Sequence, residues 1–298
     1  MTREQMRERS AAYRAETEAA LREQFRMVFP PVEDSAVAAA AAYSLLDGGK
    51  RVRGMLALSV CELISGKTAP AASYAAAIEM VHCYSLIHDD LPCMDNDDYR
   101  RGKLSCHKKF GETTALLAGD ALLTAAFDTL TRNENTAAQN AEAVRLLAHA
   151  AGPCGMVLGQ ELDLAAEETP VDEAGLLRIH ENKTGRLIRA AVGLGAAAGG
   201  AVDRQKAALD RYAADIGLVF QIVDDVLDVS ASAEQLGKPV GSDRENNKTT
   251  FVTLKGVEAA MQQATVLTQE ACEVLQDGFG EKAAFLCQFA QQLLHREK

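Results

Sequence analysis

Apolar residues recur at three- and four-residue spacing through almost the whole of this chain, and no stretch alternates convincingly between apolar and polar. Helix is therefore the regular element the pattern allows. Ala, Leu and Glu fill long runs, and only 7 Pro interrupt them. The spacing predicts helices over roughly 3–28, 35–46, 52–65, 70–91, 112–131, 137–150, 153–166, 172–200, 203–228, 249–276 and 278–294. Breaks fall at Pro30-Pro31, Asp47-Gly48-Gly49, Gly66 to Pro70, Gly152-Pro153, Gly199-Gly200 and the polar run 230–248. No linker is long enough, or rich enough in Ser and Pro, to separate domains. The expectation is one all-α domain over 1–298, a large helical bundle.

The net charge of −11 argues against a general nucleic-acid surface, because phosphate backbones demand basic patches. No N-terminal apolar segment resembles a signal peptide, and no apolar run reaches the length of a membrane span. The first 26 residues alternate acids and arginines at helical spacing, as a solvated helix would. The 7 Cys are odd in number and contain no CxxC pair, which fits reduced thiols and a cytoplasmic location.

Two acidic clusters carry the chemistry. Asp89-Asp90-Leu91-Pro92-Cys93-Met94-Asp95 closes the apolar run 80–88, and Asp224-Asp225-Val226-Leu227-Asp228 follows the run 216–223. Carboxylates crowded beside buried surface repel one another and lose hydration, so a positive partner is needed. Hard cations such as Mg²⁺ take oxygen ligands and bind a few carboxylates together with substrate phosphates. Asp224 and Asp228 are four apart and share one helix face. Pro92 disfavours continuation of the first helix, so the chain is expected to loop back and return Asp95 towards Asp89.

Basic residues follow each cluster. Gly48-Gly49-Lys50-Arg51-Val52-Arg53 places Lys50 and Arg53 at a helix start, where backbone N–H groups also favour anions. Arg100-Arg101-Gly102-Lys103 follows the first cluster, Lys183-Thr184-Gly185-Arg186 lies mid-chain, and Gly237-Lys238 and Asn247-Lys248-Thr249 follow the second. Arginine forks and lysine charges around acid-held metals suit a diphosphate. His82 lies seven residues before Asp89, on the same helix face. Gly155 to Gln160 with Asp163 reads as a small-residue helix contact.

These residues resemble the trans-isoprenyl diphosphate synthases of the short-chain bacterial type, in the polyprenyl synthetase family. DDLPCMDNDDYRRGK matches the family's first Asp-rich motif and FQIVDDVLD its second, with GGKRVR, GDALL, HENKTG and GKPVGSD…NKTTF in family order. The resemblance runs from about residue 45 to 255 and is most like bacterial farnesyl diphosphate synthases. It implies an all-α prenyltransferase fold of the isoprenoid synthase type around a deep apolar pocket, as a homodimer. It implies Mg²⁺, with Mn²⁺ as a substitute, held by Asp89, Asp90, Asp95, Asp224, Asp225 and Asp228. Arg100, Lys183 and Lys238 would hold an allylic diphosphate; Lys50, Arg53, His82 and Arg101 would hold isopentenyl diphosphate. Thr184 and Gln221, with Lys183, would line the reacting carbon.

The family reaction is a head-to-tail condensation of isopentenyl diphosphate with dimethylallyl and geranyl diphosphates. In this family the residues four and five before the first Asp form part of the pocket floor. Here they are Ser85 and Tyr84, about 6 to 8 Å below the carboxylates at helical rise. A bulky Tyr84 should stop the product at farnesyl; a geranylgeranyl synthase is the alternative. A terpene cyclase would not need Lys50, Arg53 and His82, and a regulatory subunit commonly loses an Asp motif that is intact here. Gly54 stands where the family commonly has Pro, Leu104-Ser105 replace Pro-Thr, and Tyr99 replaces Leu.

Overall fold

The computed structural model describes residues 1–230 and 249–296. The chain is all-α, as expected. The helices are α1 (Arg3–Val28), α2 (Ala36–Leu45), α3 (Val52–Ser65), α4 (Ala72–Asp89), α5 (Cys106–Phe110), α6 (Glu112–Thr129), α7 (Ala137–Ala151) and α8 (Met156–Glu168). They continue as α9 (Glu173–His180), α10 (Arg186–Gly199), α11 (Asp203–Ser230), α12 (Phe251–Lys255), α13 (Val257–Phe279) and α14 (Ala284–Leu294). Among the described residues no helix is long and apolar enough to cross a membrane. All seven cysteines are free thiols.

Three departures from the sequence reading matter for function. The helix expected over 172–200 is broken by a π-helical turn, Glu181–Gly185, which joins α9 to α10. Such wide turns inside helices often mark functional segments. The expected helix over 249–276 splits at Gly256, whose φ of +79° is a left-handed conformation. The polar stretch after the first acidic cluster holds a two-stranded ribbon, β1 (Tyr99–Arg100) and β2 (Lys103–Leu104), antiparallel with Tyr99 opposite Leu104. Its two-residue turn, Arg101-Gly102, has both φ values positive, at 55° and 75°. Strands this short leave no alternation to read.

Two compact units are distinguishable. One comprises Arg3–Arg145 and Leu194–Gly200; the other comprises Met1–Thr2, Leu146–Gly193 and Ala201–Lys298. In the first, α4 is central: every residue from Ser73 to Val81 is buried, against α1, α3 and α6. A helix apolar nearly all round belongs inside. In the second, α11 packs along α13 and against α14. Ile216, Val219, Ile222 and Val223 supply the α11 core positions, and Ala260, Ala264 and Ala271 on α13 are small enough for close approach.

Candidate active site

The first motif ends α4. The expected return of the chain is present: the Asp95 N–H donates to the Asp89 carbonyl at 2.8 Å, and Met94 and Asn96 donate to the Leu91 carbonyl at 2.8 and 3.2 Å. Asn96, with φ at +53°, is a residue type that tolerates this left-handed bend. Asp95 is exposed, Asp89 half-buried and Asp90 only 2% exposed. Arg100 on β1 clasps Asp90, its Nε donating at 2.9 Å, and also reaches Asp97 at 3.1 Å. Burial pushes the Asp90 carboxyl above its ordinary range, and Arg100 opposes that shift.

The Gly-Gly-Lys-Arg segment is built around Arg51, which sequence reasoning did not single out. Helix α3 begins at Val52, so Lys50 lies ahead of it, exposed, and Arg51 caps it with φ at +53°. The buried Arg51 guanidinium donates to the Leu45 carbonyl at 2.7 Å and lies 3.9 Å from Glu79 and 4.0 Å from Glu18. Glu79, 3% exposed on α4, also accepts the Gly54 N–H at 2.9 Å. A proline at 54 could not make that bond. Gly54 is further required because a Cβ there would lie within 2.9 Å of the Thr17 hydroxyl on α1. The charged first helix therefore braces this segment through Thr17 and Glu18.

A lone acid in the apolar run 75–81 was the available signal for Glu79, since a buried carboxylate must find partners. Glu79→Leu is expected to destabilise the fold by about 3 kcal/mol in urea unfolding, because it strands a buried guanidinium. Glu79→Gln, which keeps an acceptor for Gly54, should lose less. Equal stability of Glu79→Leu and the parent would remove Glu79 as the anchor.

Arg101, at the ribbon turn, donates to the Gly48 carbonyl at 2.9 Å. A Cβ on Gly49 would press on its guanidinium at 3.1 Å, and Gly49 has φ at +129°, so glycine is needed on both counts. Arg101 is thus joined to the segment that carries Lys50 and Arg53. His82 belongs to this group electrostatically. Burial, then the charges of Arg53, Arg101, Arg100 and Arg51, hold its imidazole well below the usual range, so it is neutral at pH 7.

The unfolded chain takes up a proton on His82 near pH 6.5 that the folded protein refuses. Stability is therefore lost as pH falls through the unfolded value. The Tm of His82→Gln is expected to drop less between pH 7 and pH 5.5 than that of the parent. An equal drop would remove His82 from the acid response.

Tyr84 is 7% exposed, with its ring edge-on to His88 at 5.7 Å between centroids. Burial and then the Asp89 charge push its phenol up to about 12. Ser85 donates to the His82 carbonyl at 2.9 Å.

In the second unit, the π-turn carries Lys183, half-buried, and Thr184, buried. Lys183 Nζ donates to Asp163 on α8 at 2.6 Å. Gly159, one turn earlier on α8, lets the backbones touch: a Cβ there would sit 2.6 Å from the Asn182 carbonyl carbon and closer still to the Lys183 backbone. The Gly-x-x-x-Asp spacing held that signal. On α11, Gln221 reaches Asp224 at 3.4 Å, and Asp228 is 4% exposed. Arg296 donates to Asp224 at 2.5 Å and to the Phe220 carbonyl at 2.8 Å, with its guanidinium 4.0 Å over the Phe220 ring. That contact spans 72 residues of sequence and had no local signal. Asp225 accepts the Phe251 N–H at 2.8 Å. Lys238 and Lys248 lie outside the described residues.

Among the described residues no three His, Cys, Asp or Glu groups are gathered closely enough to hold a metal ion by themselves. The donors at both motifs are carboxylate oxygens at helix ends, a set that fits Mg²⁺, which normally keeps positions for waters and substrate phosphates.

The sequence model of the polyprenyl synthetase family matches residues 34–279. A farnesyl diphosphate synthase of Geobacillus stearothermophilus is 46% identical over 254 residues, covering 84% of this chain and 86% of that protein. A putative chloroplastic geranylgeranyl pyrophosphate synthase 8 of Arabidopsis thaliana is 46% identical over 272 residues, covering 89% and 75%. The crystal structure of a Helicobacter pylori geranyltransferase, complexed with magnesium and isoprenyl diphosphate, superposes with a TM-score of 0.85 at 32% identity, covering 97% and 98%. The fold and the two aspartate motifs define a transferase of prenyl groups. The chain belongs to the polyprenyl synthetase family, with short-chain prenyltransferase activity.

Proposed function

We propose that the protein is a farnesyl diphosphate synthase, condensing isopentenyl diphosphate with dimethylallyl and then geranyl diphosphate. The observation that carries the product assignment is Tyr84. Its buried ring lies five residues before Asp89 on α4, about 7.5 Å along the helix. A growing chain that runs this distance from the motif along α4 meets the ring after a few isoprene units. The geranylgeranyl reading is favoured by the name of the Arabidopsis relative.

Asp89 and Asp95, joined through the loop, and Asp224 and Asp228, on one face of α11, are the carboxylates for Mg²⁺ accompanying the allylic diphosphate. Asp90 and Asp225 lie deeper, held by Arg100 and the Phe251 N–H, whereas Asp224, paired with Arg296, is half-buried. Bound there, the metal would neutralise charge growing on the leaving diphosphate. Arg100, Lys183 and Lys238 bind that diphosphate. Lys50, Arg53 and Arg101 hold isopentenyl diphosphate, with neutral His82 as a hydrogen-bond donor. Thr184 and Gln221 face the carbon that becomes cationic. Water must be kept from that cation. The isopentenyl double bond attacks it, one carbon–carbon bond forms, and the released diphosphate takes the proton. No side-chain nucleophile is required. The working unit is a homodimer, to which Leu116 and Leu117, exposed on α6, would offer apolar surface.

The test is product length, read by chromatography after reaction with Mg²⁺, isopentenyl diphosphate and dimethylallyl diphosphate. Farnesyl is expected from the parent, and geranylgeranyl or longer products from Tyr84→Ala. Geranylgeranyl from the parent would overturn the product assignment and leave the condensation standing. An unchanged profile in Tyr84→Ala would remove Tyr84 as the floor.

A further inference from the structure

Three distant segments meet at Asp225. It sits about 100° around α11 from Asp224, so its carboxylate leaves the face shared by Asp224 and Asp228. It is 7% exposed and turns Oδ2 to the Phe251 N–H at 2.8 Å. That amide opens α12 and has no partner within its own helix. The α12 cap does not serve it: Thr250 Oγ1 accepts from Thr253 N–H, and Thr253 Oγ1 accepts from Thr250 N–H. Asp225 supplies the missing acceptor, and a charged one makes a stronger bond.

His180 completes the cluster. It is the last residue of α9, directly before the π-turn that carries Lys183 and Thr184. Its ring stacks on the fully buried Phe251 ring, 5.4 Å between centroids and 18° from parallel. Its Nε2 lies 3.7 Å from Asp225 Oδ2, beyond hydrogen-bond length.

We propose that Asp225 and His180 are positioning residues: the Asp225 carboxylate holds the backbone of Phe251, His180 holds its ring, and together they register the Lys183–Thr184 turn against the α11 carboxylates. This rests on the reading above that Asp224 and Asp228 face the metal and Lys183 the diphosphate. A shift of either element by an ångström would misplace a charge at the reacting centre.

The test compares Asp225→Asn, Asp225→Ala, His180→Ala and Asp224→Asn in the full chain. The first readout is amide hydrogen exchange without ligand. Asp225→Ala and His180→Ala are expected to speed exchange at Phe251 and at 181–185 by about 10-fold. Asp225→Asn, which keeps an acceptor, should change it far less. The second readout is Mn²⁺ affinity in the presence of inorganic diphosphate, followed by electron paramagnetic resonance. Asp225→Asn should stay within about 3-fold of the parent, whereas Asp224→Asn should lose about 10-fold or more. The third is steady-state kinetics: Asp225→Ala should lower kcat by about 10-fold with the isopentenyl diphosphate KM unchanged.

Unaltered exchange at Phe251, or faster exchange confined to Phe251, would overturn the proposal. So would a loss of Mn²⁺ affinity in Asp225→Asn equal to that in Asp224→Asn. An unchanged Mn²⁺ affinity in Asp224→Asn would instead overturn the metal reading, and the exchange data would still decide the role of Asp225. Should Asp225→Ala not fold, His180→Ala and Asp225→Asn carry the comparison.

Discussion

Asp89→Ala is expected to lower kcat by about 1000-fold at saturating Mg²⁺ while the Tm stays close to that of the parent. The loop after α4 is closed by the Asp89 carbonyl, which accepts the Asp95 N–H, and alanine keeps that carbonyl. What is lost is one carboxylate at the edge of the first motif, next in sequence to buried Asp90 and joined through the loop to exposed Asp95. Charge stabilisation of a departing diphosphate depends on such groups being in place before the bond breaks. Turnover within 10-fold of the parent, in a folded protein, would remove Asp89 from the site.

Gly159→Ala, a single methyl added at a residue that is itself no proposed ligand, should lower kcat by about 100-fold. The added Cβ would meet the backbone of Asn182 and Lys183, which cannot rotate aside as a side chain could. Either α8 or the π-turn must then move, and Lys183 and Thr184 move with the turn. The Lys183–Asp163 pair across the same contact would be stretched as well. Gly278→Ala is the matched control. Its Cβ would meet only the Ala208 Cβ at 3.4 Å, an ordinary contact, and an alanine inside α13 should slightly raise stability. Parent-like kcat in Gly159→Ala would show that the close approach of α8 to the turn is not what places Lys183.

Much of the fold was legible because helices declare themselves locally. The boundaries of α1, α3 and α6 follow from apolar spacing and from breakers such as Gly66. The motifs were legible for a related reason: carboxylates at the end of an apolar run are energetically anomalous wherever they occur. The return of Asp95 to Asp89 followed from one proline. The ribbon at 99–104 was missed because two-residue strands have no period, and the π-turn because no proline marks it between α9 and α10. Arg51 was hidden among three basic residues that look alike in sequence, Lys50, Arg51 and Arg53, and only burial separates it from exposed Lys50.

The sequence alone thus determined the all-α class and most of the helix spans, and it singled out the carboxylates and cations proposed to carry the chemistry, since periodicity and charge are properties of neighbours along the chain. Tertiary structure alone decided the commitments between distant residues: Glu79 to Arg51 and Gly54, Lys183 to Asp163, Arg296 to Asp224, and Asp225 to Phe251. Those pairings depend on which faces of separate helices come together. A buried charge dictates that it must have a partner, and only packing determines which residue supplies it.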